Sequence, residues 1–165
     1  MRYLMLIIDD DMPKAKGYGS IEEWFPGTFA IHEARTFAVR GHDGKAGQSA
    51  VARLTTVRYD IILADYNLMD GDRLGPEYVF DIRNSLEGHV AQEDGGLNKD
   101  AYIIGTASGW DEQGQGVLKR MLKRKGLVRG LDGATAESGN VALQLRRELE
   151  KFLALREAEP QVKIR

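Results

Sequence analysis

The chain of 165 residues contains no cysteine. That excludes disulfides and thiolate metal sites, so any bound metal must use oxygen or imidazole ligands. Long apolar runs are missing as well. The longest, Tyr3 to Ile8, falls far short of the roughly 20 residues a bilayer-spanning helix needs. No charge of one sign dominates, because 23 Lys and Arg face 25 Asp and Glu for a net charge of −2. No global field therefore marks nucleic acid or a membrane surface as the partner. The start lacks a signal-peptide pattern, since its apolar stretch runs straight into Asp9, Asp10 and Asp11. These absences predict a cytoplasmic protein in a reducing setting. His32, His42 and His89 are scattered without paired ligand spacing, so a histidine metal site is not expected. Neither internal repeats nor low-complexity segments occur.

What is present is an alternation. The runs 3–8, 28–34, 60–64 and 101–106 are short, bulky and β-branched, and read as strands; 126–131 (GLVRGL) is a weaker fifth. Helical spacing occupies the intervals. In 20–25, Ser20 with Glu23 three residues on has the form of a capping box. In 48–58, Val51, Leu54 and Val57 recur at helical spacing, and 75–86 carries Pro76 near its start. In 116–126, Val117, Leu118, Met121 and Leu122 form a stripe that Gly126 ends, and 140–157 repeats Val141, Leu145, Leu149 and Phe152. Five β–α units predict an α/β protein, a parallel sheet with helices on both faces. One domain over 1–158 is expected, with a frayed tail at 159–165. Residues 37–47 and 87–100 read as insertions: the first on the carboxyl-end face of the sheet, the second on the opposite end.

Carboxylates close two of these strands. Asp9, Asp10 and Asp11 follow the first, and Asp65 follows the third. Open parallel sheets bind ligands outside the carboxyl ends of their strands, where strand order reverses. If strands one and three are neighbours, Asp9, Asp10 and Asp65 converge there and repel one another. A hard divalent cation with oxygen ligands, Mg²⁺, relieves that repulsion. A carboxylate beside such a cation can also act as a nucleophile toward phosphorus. Asp70 and Asp72, around Gly71, read instead as an ordinary polar turn.

The motifs LIIDDD, DIILADYNLMDGD and IIGTAS, in that order, resemble those of a response-regulator receiver domain, the phosphoacceptor half of two-component signalling. The similarity runs over about residues 3 to 157. It implies a flavodoxin-like three-layer sandwich with a five-stranded parallel sheet in the order 2-1-3-4-5. It also implies Mg²⁺ held by Asp9, Asp10, Asp65 and the backbone carbonyl of Asn67. Asp65 is then the phosphoacceptor and Thr106 the switch hydroxyl. Ala107 is the small neighbour of the phosphoryl group, and Asn67 and Ser108 tune acyl-phosphate lifetime. The implied partners are a sensor histidine kinase or phosphotransfer protein, with output through a protein partner or a homodimer and not through an attached domain. Such a protein is a phosphoacceptor signalling domain, not an enzyme.

The chain departs from the family at several positions. The lysine usually found at the end of strand five is missing near 132–134, where the nearest cations are Lys125 and Arg129, the latter inside the expected strand. No aromatic occurs between Trp110 and Phe152. Met69 and Arg73 stand where proline and glycine are usual. The alternative that these gaps raise is a pseudo-receiver, binding proteins without phosphate. An Mg²⁺-dependent phosphatase is a second rival, opposed by Asn67, where such enzymes place an acid two residues beyond the nucleophile.

Three other features carry less. RGHDGKAG (40–47) lacks the glycine spacing of a phosphate loop, and Ala46 follows Lys45. The basic stretch 119–129 reads as a solvated face or a protein contact, with Glu148, Glu150 and Glu157 as opposing charges. No base-reading motif accompanies it, so nucleic acid is not expected. The glycine-rich segment 109–116 is expected to be a mobile loop, with Trp110 near the acids.

Overall fold

A computed structural model of the chain describes residues 2–11, 17–38, 49–68, 74–135 and 140–160. Asp70, Asp72, Met69, Arg73 and most of the 37–47 insertion lie outside the described residues, as does 161–165.

Tyr3–Ile8 forms β1 in the interior of the sheet, flanked on both sides, which accounts for its unbroken apolar sequence. It pairs in parallel with β2 (Phe29–Ala34) on one side and β3 (Ile61–Ala64) on the other. β3 continues to β4 (Tyr102–Gly105), and β4 to β5 (Gly133–Ala134). All pairings are parallel, in the order 2-1-3-4-5 that the family resemblance implies.

Because side chains alternate along a strand, each strand feeds two cores. Leu6, Ile8, Ile62, Ala64 and Ile103 face one side, covered by α2 (Ala50–Thr56), α3 (Gly75–Arg83) and α5 (Glu112–Arg124). Met5, Ile7, Ile61, Leu63 and Ile104 face the other, covered by α1 (Ile21–Trp24) and α6 (Val141–Ala158). The result is the three-layer α/β sandwich. Burying each large aliphatic side chain is worth about 1.5–3 kcal/mol, so the paired seams hold both layers to the sheet. On α6 the buried stripe is Leu145, Leu149 and Phe152, as its spacing predicts, with Val141 half-buried.

Gly126 ends α5 as predicted. Its φ is +69°; its N–H bonds the carbonyl of Lys123, and that of Leu127 reaches Leu122. That pair of bonds is a Schellman closure.

Several expectations are corrected. Strand five is Gly133–Ala134, not 126–131. The buried Arg83 side chain donates from Nε and Nη2 to the Gly130 carbonyl, and from Nη1 to the carbonyls of Lys99 and Ala101. Asp132 Oδ2 accepts from Ile103 N–H at 2.8 Å, the place where a strand carbonyl would sit. Ladder pairing therefore begins only at Gly133. Arg129 lies outside the strand, exposed, and pairs with Asp132.

The capping box at Ser20 does not form. Ser20 has helical dihedrals, ends a 3-10 turn (Tyr18–Ser20) and makes no side-chain cap bond. The segment 109–116 is no loose loop: Ser108–Trp110 is a 3-10 turn, and Asp111 caps α5 by accepting from Gly114 N–H. Glu148 pairs with Lys151 and Glu150 with Arg146 within α6, while Lys125 of the basic stretch pairs with Glu87.

The 87–100 insertion contains α4 (Gln92–Gly95) and a 3-10 turn (Gly96–Asn98). Buried Asn98 anchors it by bonding Tyr59 N–H and the carbonyls of Leu54 and Val57. These partners precede β3, at the end of the sheet away from the acids.

Candidate functional site

The parallel ladder sets out a row of residues at the carboxyl ends of the strands. Asp9 N–H bonds Ala34 O at 3.0 Å, and Asp65 N–H bonds Ile8 O at 3.0 Å. Thr106 N–H bonds Ala64 O at 2.9 Å, and Thr135 N–H bonds Gly105 O at 2.8 Å. Each residue just past a strand is thus pinned to the last residues of its neighbour. Asp9, Asp65, Thr106 and Thr135 follow one another across the sheet, at the crevice where strand order reverses.

Asp9, Asp10 and Asp65 converge as predicted. One carboxylate oxygen from each lies within 4.8 Å of the others, with Asp9 and Asp65 buried and Asp10 half-buried. At that separation two like charges repel by about 3 kcal/mol or more in a medium of effective dielectric roughly 20. Three such pairs favour a cation standing among them. Only carboxylate oxygens contribute, a donor set suited to a hard divalent ion such as Mg²⁺. The residues present therefore fit the metal that the motifs imply.

Local bonds hold these carboxylates. Asp9 Oδ1 accepts from Asp11 N–H at 3.0 Å, and Asp65 Oδ1 from Tyr66 N–H at 2.8 Å. The fully buried Tyr78 hydroxyl of α3 donates to the Asp65 carbonyl. Its burial pushes the Tyr78 phenol well above the usual tyrosine range, and the Asp65 charge adds to the effect. Asn67 is exposed, two residues past Asp65, and bridges to Leu74. Ala107 is half-buried and Ser108 exposed.

Trp110 lies by the acids as predicted. Its ring is fully buried, and its indole N–H donates to Ala64 O at 2.9 Å. Glycine makes this seat: a Cβ on Gly105 would stand 2.6 Å from the indole, and one on Gly75 2.4 Å.

Thr106 is buried, and its hydroxyl meets a partner that the motifs do not foretell. Tyr18 Oη lies 2.8 Å from Thr106 Oγ1 and 2.9 Å from Asp9 Oδ2. A phenol has one proton and a carboxylate can only accept. Tyr18 therefore donates to Asp9, and Thr106 donates to Tyr18. Burial, then the Asp9 charge, push the Tyr18 phenol far above its ordinary range, so it keeps that proton. The one sequence signal for Tyr18 is an aromatic between two glycines in a polar stretch shortly after the acids.

The residue just past β5 is Thr135, one beyond the 132–134 where the missing lysine is expected. It follows β5 directly and is buried, and among the described residues its hydroxyl has no hydrogen-bond partner. The four described residues of the row are two aspartates and two threonines, and β5 carries no aromatic.

No protein-family model matches the chain, and no curated protein sequence matches it. Solved structures do. The chemotaxis response regulator CheY4 of Vibrio cholerae is similar at 16% identity and TM-score 0.57, over 92% of this chain and 99% of that one. A two-component response regulator from Clostridium difficile matches at 19% identity and TM-score 0.59, over 96% and 100%. The signal receiver domain of a signal transduction histidine kinase from Syntrophus aciditrophicus matches at 14% and 0.58, over 98% of each. With the strand order and the row of acids, these similarities give the conclusion about architecture: the chain has the flavodoxin-like fold of response-regulator receiver domains.

Proposed function

We propose that the chain is a response-regulator-like signalling protein that accepts a phosphoryl group on Asp65 in an Mg²⁺-dependent reaction. The observation that carries this reading is the meeting of Asp9, Asp10 and Asp65 within 4.8 Å at the carboxyl ends of adjacent strands. Asp9, Asp10 and Asp65 hold the cation, together with the Asn67 carbonyl. Mg²⁺ bound there supplies charge neutralisation for the phosphoryl oxygens.

The donor is the phosphohistidine of a sensor histidine kinase or phosphotransfer protein. An Asp65 carboxylate oxygen forms the new bond to phosphorus as the N–P bond breaks, and the imidazole leaves with its electron pair and takes up a proton. Thr106 then donates its hydroxyl proton to a phosphoryl oxygen, beside Ala107. Asn67 lies where a phosphatase would need its acid, so the acyl phosphate is a signal and not a turnover intermediate. The setting is cytoplasmic, and among the described residues no helix is long and apolar enough to cross a membrane. The exposed cations Lys119, Arg120, Lys123 and Arg124 of α5 offer a face to a protein partner or a second copy.

Incubation with Mg²⁺ and acetyl phosphate, read by intact mass, tests the proposal. One phosphoryl adduct is expected, lost in Asp65→Asn and in excess EDTA. An unmodified protein under conditions that load an ordinary receiver would sink phosphoacceptance and leave phosphate-independent binding.

A further inference from the structure

We infer that Tyr18 is a positioning residue that competes with the phosphoryl group for the single hydroxyl proton of Thr106. The inference rests on the phosphoacceptor reading and adds a restraint that this chain builds from its own loop.

The argument is one of proton supply. Thr106 has one hydroxyl proton, and the direction of the chain Thr106→Tyr18→Asp9 places it on Tyr18 Oη. Reversal would require Tyr18 to donate to Thr106, leaving two oxygens, one of them a carboxylate, facing each other at 2.9 Å without a proton. A phosphoryl oxygen on Asp65 needs the same proton, since it too can only accept. Thr106 must therefore leave Tyr18 before it can engage the phosphoryl group.

Tyr18 is not free to follow. Its ring is buried in the apolar layer with Ile21 and Leu145. The residue before it, Gly17, has φ +85° and packs so closely that a Cβ would stand 2.8 Å from Trp24 and 2.9 Å from Ala142. Gly17 is thus tied to α1 and α6, and Asp9 holds the phenol from the other side. Thr135 is the residue that follows β5 in the row, and Tyr18 is a neutral donor that joins an acid of the cluster to Thr106. A neutral donor removes none of the cluster's negative charge. What it adds is direction.

Beryllofluoride, a phosphoryl mimic, tests this in the whole chain at saturating Mg²⁺, with affinity read by Trp110 fluorescence and by fluorine NMR. Tyr18→Phe keeps the ring and removes only the hydroxyl. It is expected to tighten beryllofluoride binding about 5- to 10-fold, the factor for one hydrogen bond no longer broken on binding. Thr106→Val should weaken binding at least 5-fold more in the Tyr18→Phe background than in the wild type, because only there does Thr106 give its proton without loss. Thr106→Ser, which keeps the hydroxyl, should stay within about 2-fold of its own parent in each background, a rescue that lost packing would not give.

Equal effects of Thr106→Val in the two backgrounds would overturn the competition while leaving phosphoacceptance intact. A wild-type protein that takes up no beryllofluoride would overturn both. Should Tyr18→Phe unfold, Thr106→Ser and Thr106→Val in the wild type decide it: a gap of 10-fold or more between them would show a Thr106 proton freely available despite Tyr18.

Discussion

Trp110 donates its indole N–H to the carbonyl of Ala64 at 2.9 Å, and Ala64 immediately precedes Asp65. A buried fluorophore is thus bonded to the backbone that carries the central acid. In a Trp24→Phe background, which leaves Trp110 as the sole tryptophan, Mg²⁺ titration should change the emission in a saturable way. Asp10→Asn should weaken the apparent affinity at least about 10-fold, because it removes one of three anionic ligands. Identical curves for the two proteins would mean that the cation binds elsewhere.

The same acids predict opposite stabilities in two media. In EDTA, Asp10→Asn relieves like-charge repulsion and should stabilise the protein by about 1 kcal/mol in urea denaturation. In millimolar Mg²⁺ the order should reverse, since a ligand that binds only the native state stabilises it by RT ln(1 + c/Kd) at free concentration c, which is larger for the tighter-binding wild type. A variant less stable in both media would show that the Asp10 carboxylate is a structural acceptor first.

Arg83 ties β5 to the sheet from the far side. Burial pulls its guanidinium down to about 10, with Asp132 working against the shift, so it stays charged at neutral pH. Arg83→Met keeps much of the volume but strips donors from the carbonyls of Lys99, Ala101 and Gly130 and leaves Asp132 without its buried cation. A loss of about 3–5 kcal/mol is expected, measured by urea unfolding at constant m-value. A loss under about 1 kcal/mol would mean that the β5 connector holds by packing alone.

Alkali should act on Tyr78. Its folded-state value is raised above the ordinary 10.0 by burial and then by the Asp65 charge. A raised value means that the native state keeps the proton longer than the unfolded chain does. Its contribution is therefore complete below about pH 10 and is lost as pH rises beyond it, with a slope on the order of 1 kcal/mol per pH unit. Tyr78→Phe should be less stable at pH 8 by about 1 kcal/mol, through the lost bond to Asp65 O, but flatter between pH 10 and 11. Parallel pH profiles would exclude this origin.

Four strands and the apolar stripe of the long last helix were legible because burial on two faces demands runs such as LMLII and IILA, and a helix seam demands its own spacing. GLVRGL was misleading for a specific reason. Leu127 and Leu131 are apolar because they pack on the core as a connector, while Asp132 Oδ2 takes the Ile103 N–H that a ladder would use. At Ser20, the expected capping partner Glu23 was one residue from the acid that acts, since Glu22 bonds Gly27 N–H beyond the helix instead.

Chain order alone determined that Asp9, Asp10, Asp65 and Thr106 stand at strand ends, because apolar runs stop where they do and a parallel sheet gathers such ends on one edge. The partner of the Thr106 hydroxyl was decided only in three dimensions. Tyr18 belongs to no strand and lies 88 positions away. It reaches Thr106 because Gly17 packs against Trp24 and Ala142, a contact between segments that local pattern cannot encode. The extent of β5 was likewise settled by a buried arginine from another layer. Periodicity records which face a residue shows, and hydrogen-bond partners depend on where the backbone brings distant atoms.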